Sequence, residues 1–386
     1  MMLLAILLSS APLTLPREDR GTVTVTGRSL ADTRRDLENC LAQQCPPKDE
    51  IARSLAYAEA QFLMGDYRGG RKTMLIARRR NARYASELPE DVSDLHYATG
   101  RFANLVGNPD SNRLSMFDAV DALKAGLPDT DSRVMQQRLA IGDGFAINGQ
   151  LYAALSQYGS VARKARSVGL TSIEGMAQFK AAVLLAAVAS SVPEFAIDAR
   201  RKADAILAND DPAFLPYRNG VRMLRARLVR KSERDAAIAE VIKEMEPMPG
   251  MDQALIYNPP IRLDDISFGA VPGDATPWAD INFWVTADGR VSDISTVRQS
   301  EDMNKAWLKP VVRALETRRY LPNPKSSGVM HMERISFIAD LTESPRSRIR
   351  TRETKRRVDI VDLLAQPSNK RQESTPALHT PVTPPV

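Results

Sequence analysis

The stretch "FWVTADGRVSDISTV" (283–297) decides how this chain divides. Phe283 and Val285 alternate with Trp284 and Thr286, and Val291, Ile294 and Val297 resume beyond Ala287, Asp288, Gly289 and Arg290. Asp-Gly supplies the positive φ that a tight hairpin turn needs, so two antiparallel strands are expected here. From Ser300, "SEDMNKAWLKPVVRALETRRYLP" sets Trp307, Val311, Val312 and Leu315 at helical spacing, with acids early and Arg318-Arg319 late. That order suits the helix dipole and predicts one helix, bent or begun anew at Pro310. "VMHMERISFIADL" (329–341) alternates again and reads as a third strand. The order strand, strand, helix, strand makes a small α+β domain over 279–341, its helix covering one face of a three-stranded sheet.

Upstream the pattern is different. Over 30–246 the apolar spacing is helical, broken at Gly, Pro and Asp clusters. Breaks at Gly65, Gly107 and Gly149 recur every 42 residues, and weaker ones follow near Pro193 and Ser232. A helix pair at each interval exposes an apolar face that only its neighbours can cover, which predicts an α-solenoid with a groove. Tyr57, Phe62, Tyr67, Phe102, Phe145, Tyr152 and Tyr158 sit at helical spacings, where aromatics are core more often than ligand contacts. A Pro-rich linker, 247–278, separates the two parts, and "ALIYNPPIRL" within it is expected to run extended along a domain surface. Beyond 341 the chain is rich in charge, Pro, Ser and Thr, which predicts a disordered tail over 342–386, relieved at most by a short helix in "VDIVDLLAQ" (358–366).

Two family resemblances rest on these residues. "LAYAEAQFLMGDYRGG", with its turn at Gly65-Asp66, resembles the tetratricopeptide unit, and the Gly149 unit resembles it next best. The stretch 279–340 resembles the C-terminal domain of TonB-type energy transducers, on Asp288, Gly289, Arg290, Val291, Val297, Ser300, Tyr320 and Pro322. That resemblance implies a strand-strand-helix-strand fold whose last strand receives an extended peptide from an outer-membrane receptor by β-augmentation. It therefore implies a partner-binding edge at Met332, Glu333, Arg334, Ile335, Ser336 and Phe337. The chain departs from the family where a membrane helix and a long Pro-rich spacer would stand, so the resemblance carries the binding mode and not force transduction.

The N-terminal "MMLLAILLSSAPLTLP" resembles a secretory signal peptide over 1–15, although no Lys or Arg precedes its apolar run. The two cysteines, Cys40 and Cys45, are five residues apart in the sequence. In an uninterrupted helix their Cα atoms would lie about 8 Å apart, but Pro46-Pro47 lets the chain turn back at Cys45. A disulfide is expected between them, in keeping with export to the periplasm of a bacterial envelope.

The net charge of +6 equals the excess within 346–357, seven Lys/Arg against one Glu (7 − 1 = +6). The rest is balanced, which argues against a nucleic-acid-binding domain and leaves that run as a contact for an anionic membrane surface. His96, His331 and His379 fall in unrelated segments, and no P-loop, HExxH, nucleophile-elbow or paired-carboxylate motif appears. The expectation is a non-enzymatic protein with no cofactor, metal or catalytic residue, binding protein partners in the envelope and open to homodimer formation. The competing expectation is an envelope hydrolase, or its regulatory subunit, with a site between the two domains.

Overall fold

Glycine in the left-handed region sets the turns of the helical part. The computed structural model describes residues 28–227, 229, 232–245, 253–259, 261, 263, 276–301, 305–343 and 350–364, so the signal-peptide expectation for 1–15 lies outside the described residues. The helices are α1 (Leu30–Ala42), α2 (Pro47–Leu63), α3 (Tyr67–Asn81), α4 (Pro89–Leu105), α5 (Pro109–Gly126), α6 (Ser132–Ile147), α7 (Leu151–Ser167), α8 (Thr171–Ala189), α9 (Ala196–Leu207), α10 (Leu215–Arg227) and α11 (Arg234–Glu244). Gly65, at φ +78°, ends α2 in a Schellman turn: Asp66 N–H donates to Gln61 O and Gly65 N–H to Phe62 O. The same two bonds recur around Gly107 after α4 and Gly149 after α6. Asp66 and Asn108 then cap α3 and α5 with their side chains, and proline stands at the first turn of α2, α4 and α5.

Each of α1 to α9 packs on the next helix in sequence, and α10 packs on α8, α9 and α11. The core is accordingly a series of local clusters. Met74, Val92, Leu95 and Phe102 join α3 to α4, Met135, Leu139, Tyr158 and Ile173 join α6 to α8, and Phe214, Tyr217 and Val221 close on Ala182 of α8. Helix α8 is long and apolar enough to cross a membrane by length and composition alone, and 56% of its apolar window is buried inside the fold. Cys40 and Cys45 are disulfide-bonded with Cα atoms 5.1 Å apart, the chain turning back through Gln44 at φ +50°.

The remaining elements are β1 (Leu255–Tyr257), β2 (Trp278–Val285), β3 (Val291–Gln299), α12 (Lys305–Thr317), β4 (Arg319–Tyr320), β5 (Val329–Glu343) and β6 (Arg350–Asp362). The hairpin around Asp288-Gly289 joins β2 to β3, with Gly289 at φ +78°. A Cβ at Gly289 would come within 2.1 Å of Tyr320 O, so the turn needs glycine for close approach as well as for conformation. Helix α12 runs through Pro310 and lays Trp307, Val311 and Leu315 on Ile281, Phe283, Ile335 and Phe337. The linker contributes β1, which pairs with β4 while Ile256 and Tyr257 bury against Met223 and Ile238.

Two expectations are corrected here. The sheet has four antiparallel strands in the order β3-β2-β5-β6 and not three. Residues 350–362, expected within a disordered tail, form β6, and the short helix expected at 358–366 is strand as far as Asp362. The physical reason is pairing. Val358, Ile360 and Val361 are β-branched, and β5 offers them a full row of backbone partners that a nine-residue isolated helix would lack.

Candidate functional site

The residues expected to form a partner-binding edge lie in the interior of the sheet. β5 pairs with β2 from Val329 to Ser336 and with β6 from Glu333 to Glu343, so its hydrogen-bonding groups face strands on both sides. Met332, Glu333, Arg334, Ile335, Ser336 and Phe337 are thus not an edge. Both faces are closed too. Ile335 and Phe337 lie under α12, where Phe337 meets the Trp307 ring at 4.6 Å. Arg334, Ser336 and Ile338 point the other way, into the helical domain.

That second face is a seam built on one guanidinium. Arg334 donates from Nε to Asp280 Oδ1 at 2.6 Å and from Nη2 to Asp280 Oδ2 at 2.9 Å, and both side chains have 0% exposure. Nη2 also donates to Leu63 O at 2.8 Å and Nη1 to Phe62 O, so Arg334 caps the carbonyl end of α2, where a cation suits the helix dipole. Its plane lies 3.8 Å from the Trp278 ring centroid and 5.0 Å from that of Phe62. Arg298 reaches Asp280 from the half-exposed side, at 2.7 Å. Tyr67 O–H pairs with Ser336 Oγ at 2.9 Å, and burial pushes the phenol up, which keeps it neutral. Trp278 sits where a Cβ on Gly65 would stand, 2.1 Å from its Nε1, so the first helix turn is shaped to receive the sheet.

The seam continues along α4. Thr276 Oγ1 donates to Leu105 O at 2.9 Å, Leu341 N–H to Gly107 O at 2.6 Å, and Arg357 Nη2 to Asn104 O at 3.0 Å. Arg101 lies 3.5 Å from Asp359. The helix turns after α2 and α4, two of the three 42-residue breaks, are therefore where the small domain docks. A site between the domains, as the hydrolase expectation requires, would have to lie in this packed contact. The opposite face of β5 holds a second buried pair, Arg318 Nη1 to Glu333 Oε1 at 2.7 Å, with Arg318 Nε donating to Asn258 Oδ1 at 2.9 Å. His331 stacks on Phe283 at 5.3 Å, and burial holds its imidazole below the usual range against the opposing pull of Asp362 and Glu333.

The sheet's two true edges differ. β3 pairs with β2 through two register shifts and carries Asp293 at φ +51°, the bulged and charged form that discourages strand addition. β6 from Arg356 to Asp362 matches β5 from Glu333 to Ala339 residue for residue, and among the described residues no strand pairs with its outer side. Elsewhere, a cavity of about 520 Å³ lies beside the disulfide, lined by Arg28, Asn39, Gln43 and Arg53. Among the described residues no group of three or more His, Cys, Asp or Glu is placed to hold a metal ion.

Sequence reasoning missed the β6 edge and the seam. The signal for the seam was the adjacent Glu333 and Arg334 inside an alternating strand, since successive residues face opposite ways and each charge then needs its own buried partner.

No family model and no curated protein matches the chain. The crystal structure of BtubC (BKLC) from P. vanneervenii is similar at 13% identity, covering 61% of this chain and 100% of that chain with a TM-score of 0.39, which is too slight to assign a fold or a function.

Proposed function

We propose that this chain is a non-enzymatic protein of the bacterial cell envelope, exported to the periplasm, that acts by binding other proteins. In this reading the helical part is an α-solenoid of tetratricopeptide-like pairs that scaffolds one partner, and the small domain is a TonB-like module that takes a strand from another. The recurring Schellman turns at Gly65, Gly107 and Gly149 support the first assignment, and the order β2, β3, α12, β5 supports the second. The disulfide is compatible with an oxidising compartment.

The TonB-like resemblance implies a partner strand beside β5, and β6 of the same chain already lies there. Strand addition therefore moves outward by one strand. The observation that carries the reading is the β6 edge from Arg356 to Asp362, paired in register on its inner side and open on its outer side among the described residues. The basic run 346–357 in the sequence would attract an acidic partner or an anionic membrane surface.

The test is affinity capture from envelope extracts with the full chain and with Ile360→Pro. In the antiparallel pattern the bond from Leu363 N–H to Met332 O turns the N–H of Ile360 outward, so proline there spares the β5–β6 ladder. Loss of a captured envelope protein with Ile360→Pro is the expected result. Identical capture by both forms would overturn the reading.

A further inference from the structure

We propose that the Cys40–Cys45 disulfide is a thiol-exchange site, opened at Cys45 by a small thiol that carries carboxylates and binds in the cavity beside the bond.

The two sulfurs are not equivalent. Cys40 is 3% exposed and belongs, with Thr33 and Leu37, to the face that α1 buries. Cys45 is half-buried, in the short connection from α1 to α2, and borders the cavity of about 520 Å³. An incoming thiolate therefore reaches the Cys45 sulfur, and Cys40 is the leaving group. Arg53 Nη1 lies 3.8 Å from Cys40 Sγ; the same nitrogen is 3.4 Å from Asp49 O and 3.9 Å from the Asp49 carboxylate. A guanidinium so placed stabilises the thiolate that Cys40 becomes, and a more stable leaving thiolate departs faster. Cys40 stands in the last turn of α1, where the helix dipole opposes negative charge, so the cation matters more there.

The cavity suits a particular kind of thiol. Asn39 and Gln43, one turn apart at the end of α1, offer carboxamides, and Ala52 and Ala56 of α2 are small enough to leave room. A volume of this order admits a molecule the size of a tripeptide. Arg28 also lines the cavity, ion-paired to Asp36. Two guanidiniums against one carboxylate leave the lining net positive, which draws an anionic thiol ahead of a neutral one.

In the exchange, the thiolate RS⁻ bonds to Cys45 Sγ as the Cys40–Cys45 bond breaks, and the electron pair of that bond leaves on Cys40 Sγ. Cys40, held in place among its buried neighbours, either attacks Cys45 again and expels RS⁻, or waits while a second RS⁻ attacks the sulfur of R. The second route gives RSSR and two cysteine thiols. Two thiols are oxidised, the protein disulfide takes up their two electrons, and each cysteine sulfur ends with the proton that one RSH gave up.

The test uses the full chain with reduced glutathione as the acidic thiol, β-mercaptoethanol as the neutral one and thioredoxin as a protein dithiol. Opening is followed by alkylating the freed thiols and mapping them by mass spectrometry. Per thiolate, and after correction for thiol basicity, glutathione should open the bond about threefold or more faster than β-mercaptoethanol. Samples quenched early should carry glutathione on Cys45 and the alkyl group on Cys40. Arg53→Gln should slow opening about threefold or more with either thiol, and Arg53→Lys should recover most of the rate. With oxidised glutathione, native Cys40→Ser should accumulate the mixed disulfide at Cys45, and native Cys45→Ser should leave the buried Cys40 unmodified.

Glutathione found on Cys40, or rates indifferent to Arg53→Gln, would overturn the proposal. Equal corrected rates for the two small thiols would overturn the preference for carboxylates. Opening by thioredoxin and not by glutathione would overturn the small-thiol assignment, and a native bond that resists all three would overturn the site itself.

Discussion

Arg334 makes two ion-paired bonds to Asp280, 54 residues away, and two bonds to carbonyls of α2 more than 270 residues away. Removing the guanidinium leaves the Asp280 carboxylate at 0% exposure with only the half-exposed Arg298, and leaves two α2 carbonyls uncapped. Loss of one partner from a buried pair costs about 3–5 kcal/mol, so Arg334→Met, which keeps the side-chain volume, should lower unfolding free energy by that order in urea titration. A partner-contact role alone would leave stability unchanged. The alternation of β5 was legible in the sequence, as was the turn at Asp288-Gly289, because both depend on near neighbours. The fate of Glu333 and Arg334 was not, since their partners Arg318, Asp280 and the end of α2 are brought to them only by the fold. A charged strand residue looks like surface until both faces are known to be covered.

The helices and their glycine turns were largely readable, and for a physical reason: positive φ, N-caps and proline at the first turn act within a few residues. Of the aromatics read as core, Tyr67, Phe102 and Tyr158 are buried, while Tyr152 is 75% exposed beside Phe195. β6 escaped notice because its first half is a run of cations whose strand character comes from pairing with β5. The disulfide between α1 and α2 closes a short loop, and the chain-entropy estimate for such a loop is about 2 kcal/mol. Reduction should therefore lower the melting temperature of a calorimetric scan, and Cys40→Ala with Cys45→Ala should reproduce the shift.

Two histidines add a pH dependence. His96 on α4 is buried facing Asp118, Asp121 and Arg78, and His331 on β5 faces Asp362, Glu333 and Arg318. Burial is the largest influence on each and lowers both below the unfolded value of about 6.5. The unfolded chain then binds more protons in the window below 6.5, so stability should fall as pH drops through that window and level off beneath the folded-state values. Urea midpoints at successive pH values check this, and His96→Gln should flatten the slope.

Across the whole chain, the small domain touches both ends of the helical array. Its sheet meets α2, α3 and α4, while β1 and Leu321 meet α10 and α11. With contacts at both ends the two parts should unfold together. All three tryptophans, Trp278, Trp284 and Trp307, lie in the small domain, so their fluorescence reports the sheet while far-ultraviolet dichroism reports the helices. The two signals should give coincident denaturant transitions, and separated midpoints would mean the seam does not couple the parts.

The strand that is open in the sheet decides where a partner can add. Residue-resolved amide hydrogen exchange on the full chain at low concentration addresses this directly. Slow exchange is predicted at every amide from Met332 to Phe337, with fast exchange at Val358 and Ile360. Alternating fast amides within β5, with uniformly fast exchange through β6, would contradict it.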